Sequence, residues 1–286
     1  MTGPAVEVLR AGALTTVQDL GRAGWAHLGV PRSGALDPAA LRLANRLVGN
    51  PESAAGLEIT LTGCDLRFPR AATVAVTGTA TAVRVGRRFG DVGRPLSVPA
   101  GAVLRIDPPR DGLRNWLAVG GGIAVEPVLG SRATDTLSGL GPPPLRDGDL
   151  LPLGAPTGPP APVDTTVVAP TPTELRLTLR LGPRDDWFTP AALDRLLGTT
   201  YAVSPVSNRV GARLTGAVLP RAVAGELPSE GIVLGAVQVP ADGQPLIFLA
   251  DHPTTGGYPV VGVVDDVTPL AQARPGTTVT FHGPQR

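Results

Sequence analysis

The chain has 286 residues, of which 42 % are hydrophobic and 17 % charged, and its formal net charge is +1. That length suits one large or two medium domains. The near-neutral balance argues against nucleic acid or an anionic membrane surface as a partner. No stretch approaches the ~20 apolar residues of a membrane span, and the first residues show no basic region followed by a long apolar run. The cytoplasm is therefore the expected location.

With 37 glycines and 32 prolines spread along the chain among short Val, Leu and Thr runs, the sequence reads as strands punctuated by turns. Every basic side chain is Arg; there is no lysine. The chain therefore cannot carry biotin on a lysine, form a Schiff base, or supply the lysine of a P-loop. The single cysteine, Cys64, excludes an internal disulfide, and no metal-ligand constellation is apparent.

In chain order, the first clear element is a helix opening at Asp37-Pro38-Ala39-Ala40-Leu41. Asp37 can cap the free N–H groups and Pro38 fits the first helical position. Leu41, Ala44, Leu47 and Val48 share one face, and Gly49 suits the end. Strand-like runs follow at 73–76, 83–85, 103–106 and 116–119, and another at 150–153 after the turn Arg146-Asp147-Gly148. Beyond a proline-rich stretch come 175–181, a second helix opening at Thr189-Pro190-Ala191-Ala192-Leu193, and runs at 232–239, 246–249, 260–264 and 278–281. In the second helix Leu193, Leu196 and Leu197 form the apolar face and Gly198 marks the end.

The two helix openings are alike. Leu61-Thr62-Gly63 in the first half also corresponds to Leu214-Thr215-Gly216 in the second, which predicts a weak internal duplication. Pro156, Pro159, Pro160, Pro162, Pro170 and Pro172 suit an extended connection. The predicted organisation is a first domain over 1–155, a linker over 156–172 and a second domain over 173–286, with a discontinuous domain, in which the first strand joins the second half, as the alternative. A mostly β chain with a few short helices implies closed or nearly closed barrels, which remove exposed strand edges.

Several long motifs occur in one order. Thr15-Thr16-Val17-Gln18-Asp19-Leu20-Gly21-Arg22 is followed by Gly29-Val30-Pro31-Arg32-Ser33-Gly34-Ala35-Leu36-Asp37 and Ala44-Asn45-Arg46-Leu47-Val48-Gly49-Asn50-Pro51. The second half holds Gly182-Pro183-Arg184-Asp185-Asp186-Trp187-Phe188 and the run from Val203 to Gly211. It also holds Glu226-Leu227-Pro228-Ser229-Glu230-Gly231 and Thr254-Thr255-Gly256-Gly257-Tyr258-Pro259. Together these resemble the allophanate hydrolase subunit 2 family over nearly the whole chain. The resemblance implies tandem cyclophilin-like β-barrel domains and a partner of the allophanate hydrolase subunit 1 type. It implies one of three roles: the C subunit of an ATP-dependent 5-oxoprolinase, a biotin-dependent carboxyltransferase acting on urea or a related amide, or a non-catalytic module that sequesters a regulatory partner.

Taken on their own chemistry, Gln18, Asp19 and Arg22 cluster polar groups between apolar segments. An Arg held by an Asp presents a bidentate fork to a carboxylate or phosphate, or else fixes a loop. His27 suits proton transfer or a half-buried structural place. Ser33, Gly34 and Asp37 lead into a helix whose N-terminus could bind an anion, although capping alone explains Asp37. Ser207, Asn208 and Arg209 offer a hydroxyl, an amide and a guanidinium in sequence, or a simple turn. Glu230, beside Ser229 and Gly231, could act as a general base or hold the amide of a ring substrate. The loop of Thr254, Thr255, Gly256, Gly257 and Tyr258 could bring backbone N–H groups to an anion, or join two strands.

The expected site gathers Ser207, Asn208, Arg209, Glu230 and the Thr254–Tyr258 loop in one cleft, with Gln18–Arg22 and His27 as its opposite wall. In it Arg209 clamps an anion and Glu230 orients or deprotonates the amide. Under the 5-oxoprolinase reading, ATP and Mg²⁺ activate the lactam of 5-oxo-L-proline within a complex that also contains the A and B subunits. Under the carboxyltransferase reading, biotin arrives on a separate carrier.

Overall fold

The computed structural model of the chain describes residues 5–160, 168, 170–225 and 227–284. The chain is mostly β, as its composition predicts, and divides into two compact units. One runs to Arg22 and resumes from Ser33 to Thr171; the other takes Ala23–Arg32 and the chain from Pro172 onward. The first unit is therefore not the continuous segment 1–155 expected. The described part of the proline-rich connection up to Thr171 belongs to it: the Thr157 hydroxyl donates to Gly49 O at 3.0 Å, and Thr79 and Thr171 hydroxyls lie 3.1 Å apart. Residues 161–167 and 169 of that connection lie outside the described residues, as does Glu226.

The first unit is built from two sheets. Its strands are β1 (Ala5–Arg10), β2 (Leu14–Gln18), β3 (Gly56–Thr60), β4 (Cys64–Arg67), β5 (Ala72–Gly78), β6 (Val83–Val85), β7 (Arg88–Gly90), β8 (Pro95–Val98), β9 (Val103–Ile106), β10 (Arg114–Val119) and β11 (Leu150–Pro152). One sheet has the order β11-β1-β4-β9-β6-β7 and the other β2-β3-β10-β5-β8. Strand periodicity decides what each face meets. Val74, Val76, Leu117 and Val119 join the main core with Val8, Leu66 and Leu104 of the other sheet. The intervening Ala75 and Ala118 face Ala44 and Leu47 of α1 (Pro38–Leu47) and Val48, which caps its end. Alanine at both positions lets the helix lie close on the outer face of its sheet.

Asp37 caps α1 as expected, its Oδ1 accepting from Ala40 N at 2.9 Å. The loop leading into the helix is fixed by buried Glu58, which accepts from Leu36 N at 2.9 Å and Trp116 Nε1 at 3.2 Å. Arg114 stands 3.4 Å from the same carboxylate, so the buried charge is paired. Cys64 is buried in the core, and desolvation pushes its thiol up to about 12, which leaves it unreactive.

The second unit is a closed barrel. Its strands are β12 (Glu174–Leu181), β13 (Thr200–Val203), β14 (Gly211–Thr215), β15 (Glu230–Gly231), β16 (Ala236–Gln238), β17 (Leu246–Phe248), β18 (Thr255–Gly256), β19 (Val260–Val264) and β20 (Thr278–His282). Seven of them close in the order β12-β19-β16-β17-β14-β13-β20, and β15 and β18 form a separate two-stranded sheet. Helix α2 (Pro190–Gly198) begins at Thr189, whose hydroxyl accepts from Ala192 N at 3.1 Å, and packs against β20. The strand expected over 232–239 is interrupted. Gly235 has φ +83°, and a Cβ there would come within 2.4 Å of Val264 O, so the chain turns before β16 begins.

Candidate functional site

The expected residues fall into two clusters, one in each unit. In the second unit, β15 pairs antiparallel with β18 and sets Glu230 directly opposite Gly256. Glu230 and the Thr254–Tyr258 loop therefore come together, as the sequence suggests. Ile232 N donates to Thr254 O at 2.8 Å and closes the ladder. The role of the glycines differs from expectation. A Cβ on Gly256 would meet Gln238 Nε2 at 2.9 Å and Ile232 at 3.3 Å, so Gly256 serves close packing of protein against protein. Gln238 Nε2 in turn donates to Tyr258 O at 2.8 Å.

Glu230 is held by Arg184, which follows β12. Arg184 Nε donates to both carboxylate oxygens at 3.0 Å, and Nη2 donates to Oε1. Both side chains keep partial access to solvent, 35 % for Arg184 and 29 % for Glu230. The hydrogen bond from Arg184 holds the Glu230 carboxyl below the usual carboxylate range, against a smaller opposing push from desolvation. A carboxylate made less basic in this way is poorly suited to take a proton from an amide. It remains a strong acceptor that can orient an N–H group. The Arg221 guanidinium lies 5.8 Å from the Tyr258 ring centre, with Nη2 donating to Val239 O at 2.8 Å. Sequence reasoning does not find Arg184 and Arg221 as site residues. Arg184 lies in the Gly182–Phe188 motif, but its partner is 46 positions away, and no local pattern signals such a pairing.

The Ser207, Asn208 and Arg209 trio does not present a clamp. Asn208 Oδ1 accepts from Val210 N at 2.8 Å and Gly211 N at 3.2 Å, and Ser207 Oγ bonds the backbone of Arg213. Arg209 is only 1 % exposed and forks onto Asp251, Nε to Oδ2 at 2.9 Å and Nη2 to Oδ1 at 3.0 Å. This corrects the expectation of an anion-binding guanidinium. Arg209 is a positioning residue that fixes Asp251, three residues before Thr254. Ser229 is exposed beside Glu230. His27 is exposed on the short turn Ala26–Leu28, its ring stacked on Trp25 with centres 6.4 Å apart. A Cβ on Gly29 would come 3.9 Å from the Thr254 hydroxyl, so the His27 turn borders the Gly-rich loop within this unit.

In the first unit Gln18, Asp19 and Arg22 are all buried, but Asp19 and Arg22 do not fork onto each other as expected. Asp19 accepts from Gly21 N at 2.8 Å, Ser131 Oγ at 2.6 Å and Arg132 N at 2.6 Å. Arg22 donates through Nη2 to Ala133 O and through Nε to Val128 O at 3.5 Å. Gln18 Nε2 donates to Thr16 Oγ1 and Thr134 O, both at 3.0 Å. Ser33, with φ +56°, also donates to Thr134 O at 3.0 Å. Among the described residues no group of three His, Cys, Asp or Glu side chains converges as a metal site would require.

A two-sheet unit, together with a unit whose closed seven-stranded barrel is joined by a two-stranded sheet carrying Glu230, defines a class of tandem β protein with known members. A family model, the carboxyltransferase domain, subdomain A and B, matches residues 28–283. The 5-oxoprolinase C subunit of Escherichia coli is 38 % identical over 96 % of this chain and 90 % of its own length. The solved structure of TTHA0988 superposes with a TM-score of 0.88 at 38 % identity, covering 99 % of this chain and 56 % of that one, so the chain spans little more than half of it. The Kluyveromyces lactis urea amidolyase structure gives a TM-score of 0.91 at 30 % identity over the whole chain, which matches 19 % of that protein. The chain belongs to the carboxyltransferase domain A and B family.

Proposed function

We propose that the chain is the C subunit of an ATP-dependent 5-oxoprolinase and helps to open 5-oxo-L-proline to L-glutamate. The observation that carries this reading is the two-way match to the Escherichia coli protein, which accounts for nearly the full length of both chains. In that complex the chain works in the cytoplasm with the B subunit, a subunit 1-type protein, and with the A subunit. No helix among the described residues is long and apolar enough to cross a membrane. The reading assigns ATP and Mg²⁺ to the assembled complex.

Within this reading the chain's own contribution is orientation. Glu230, kept ionised by Arg184, accepts the ring N–H of the lactam, while the Thr254–Tyr258 loop lies beside the two-stranded sheet that carries it and the His27 turn borders that loop. His27 is placed to exchange protons with solvent, and Ser229 adds a hydroxyl beside Glu230. The test is a coupled assay: co-expressed A, B and C subunits with 5-oxo-L-proline and ATP, reading glutamate. Glu230→Gln is expected to lower kcat/KM about ten- to a hundredfold. Because the Glu230 carboxyl lies low, its charge is complete above the usual carboxylate range and is lost only as pH falls through the depressed value. The wild-type profile should therefore show no limb from Glu230 between pH ~5 and ~8. A limb near pH ~6–7 that disappears in Glu230→Gln would make it the general base instead.

A second reading is favoured by the urea amidolyase likeness: transfer of a carboxyl group from carboxybiotin to urea or another amide. The chain has no lysine, so biotin would arrive on a separate carrier. Turnover of urea with a biotinylated carrier, and none of 5-oxo-L-proline with ATP, would replace the first reading with this one.

A further inference from the structure

The first unit holds a cavity of about 330 Å³ beside the C-terminal end of α1. Small-molecule pockets span ~300–1,000 Å³, so this one has room for a small ligand. Its floor follows from strand register. Thr73 of β5 and Ser97 of β8 are direct cross-strand partners, and both line the cavity. Alternation turns them to the face opposite Val74 and Val98, which are buried in the main core. One wall is Val48 at the helix end, and the other is the start of the proline-rich connection, with Leu153 and Pro156. That connection sits close because two glycines make room for it. A Cβ on Gly49 would come within 2.3 Å of Pro159 O, and one on Gly121 within 2.2 Å of Gly154 O.

The polar groups on this cavity favour one kind of ligand. Arg70, which precedes β5, lines it half-buried and makes no ion pair among the described residues. Its Nη2 donates to Gly154 O at 3.1 Å, which ties the guanidinium to the wall and leaves its other N–H groups unused. The Thr73 and Ser97 hydroxyls make no hydrogen bond among the described residues. No acidic side chain among the described residues lines the cavity. A cation would therefore meet repulsion and no counter-charge. An inorganic anion would satisfy Arg70 but leave Val48, Leu153 and Pro156 facing water. A carboxylate on an apolar body satisfies both: its oxygens take the guanidinium and the hydroxyls, and its body covers the apolar walls.

We propose that this cavity is a binding site for a small organic carboxylate with an aliphatic body, held by Arg70, Thr73 and Ser97. The site lies wholly within the first unit and uses none of the residues around Glu230. Its occupancy is therefore open to test on this chain alone, whatever reaction the assembled complex performs. An occupant would also join β5 and β8 to the first residues of the connection, through Arg70 and its bond to Gly154 O, and so hold that segment to the sheet.

The test is calorimetric titration of the full chain with acetate, butyrate, hexanoate, hexylamine and inorganic phosphate. Hexanoate should saturate a single site at millimolar concentration and raise the unfolding midpoint, since it binds only the folded chain. Affinity should rise about fourfold for each methylene buried along the carboxylate series. Arg70→Gln removes the charge that the carboxylate meets and should weaken hexanoate about tenfold or more. Thr73→Val removes only a hydroxyl that makes no bond among the described residues. It should weaken hexanoate about fivefold with the unliganded midpoint unchanged, and it keeps the test decisive if Arg70→Gln does not fold. The proposal is overturned if no carboxylate saturates at millimolar concentration, or if hexylamine or phosphate binds as tightly as hexanoate. A flat affinity along the carboxylate series overturns it too, as does a folded Arg70→Gln or Thr73→Val variant that binds hexanoate like the wild type.

Discussion

At the scale of single residues, the contrast between Arg209 and Arg184 shows what decides an arginine's role. Both fork onto a carboxylate, but Arg209 and Asp251 have side chains 1 % and 0 % exposed, while Arg184 and Glu230 remain open to solvent. A buried pair stripped of one partner leaves an uncompensated charge, so Arg209→Ala should destabilise the fold by about 3–5 kcal/mol. Urea denaturation of the purified chain measures this. A variant with wild-type stability and absent turnover would return Arg209 to the role of ligand clamp. The sequence displays Ser207, Asn208 and Arg209 as three adjacent polar side chains, and nothing local tells which one turns inward. That choice is made by Asp251, 42 positions later. Glu230 beside the Gly-rich loop was legible because both lie in recognisable motifs.

At the scale of elements, the two helices were legible because capping chemistry is local. Asp37 and Thr189 each accept from the N–H three residues on, with proline following in both cases. Thr189→Ala should cost about 1 kcal/mol, read as a lower denaturation midpoint with an unchanged slope. A neutral result would mean that the packing of α2 on β20 sets that helix without help from its cap. The longer strands were legible from alternation: 260–264 and 103–106 match β19 and β9 end for end. The two-residue strands β15 and β18 were not, because two residues carry no periodicity, yet they are the ones that place Glu230 against Gly256. The likeness of the two helix openings did not extend to the sheets around them. Helix α1 lies on β5 and β10 of an open five-stranded sheet, whereas α2 lies against β20 of a closed barrel.

At the scale of the whole molecule, the remaining question is what covers the apolar residues left at the surface. Just after β15 in sequence, Val233 is 55 % and Leu234 47 % exposed, and Tyr258 is 48 % exposed on the loop opposite Glu230. Single exposed apolar residues need no explanation, but several of them on the segments flanking one small two-stranded sheet are the kind of surface a partner covers. The relatives that match both ways along their length are named as subunits, which points to the same conclusion. The chain is therefore expected to co-elute with a co-expressed subunit 1-type protein at micromolar concentration. Leu234→Asp puts a charge on that surface without touching the core. It should abolish co-elution, because a desolvated unpaired carboxylate at an interface costs several kcal/mol, while leaving the isolated chain's unfolding midpoint within about 0.5 kcal/mol of the wild type. If Leu234→Asp still co-elutes with the partner, the interface lies elsewhere on the chain. If the wild type elutes alone beside a folded partner, the chain does not assemble in the way proposed, and the activity assay must then be carried out on the separate proteins.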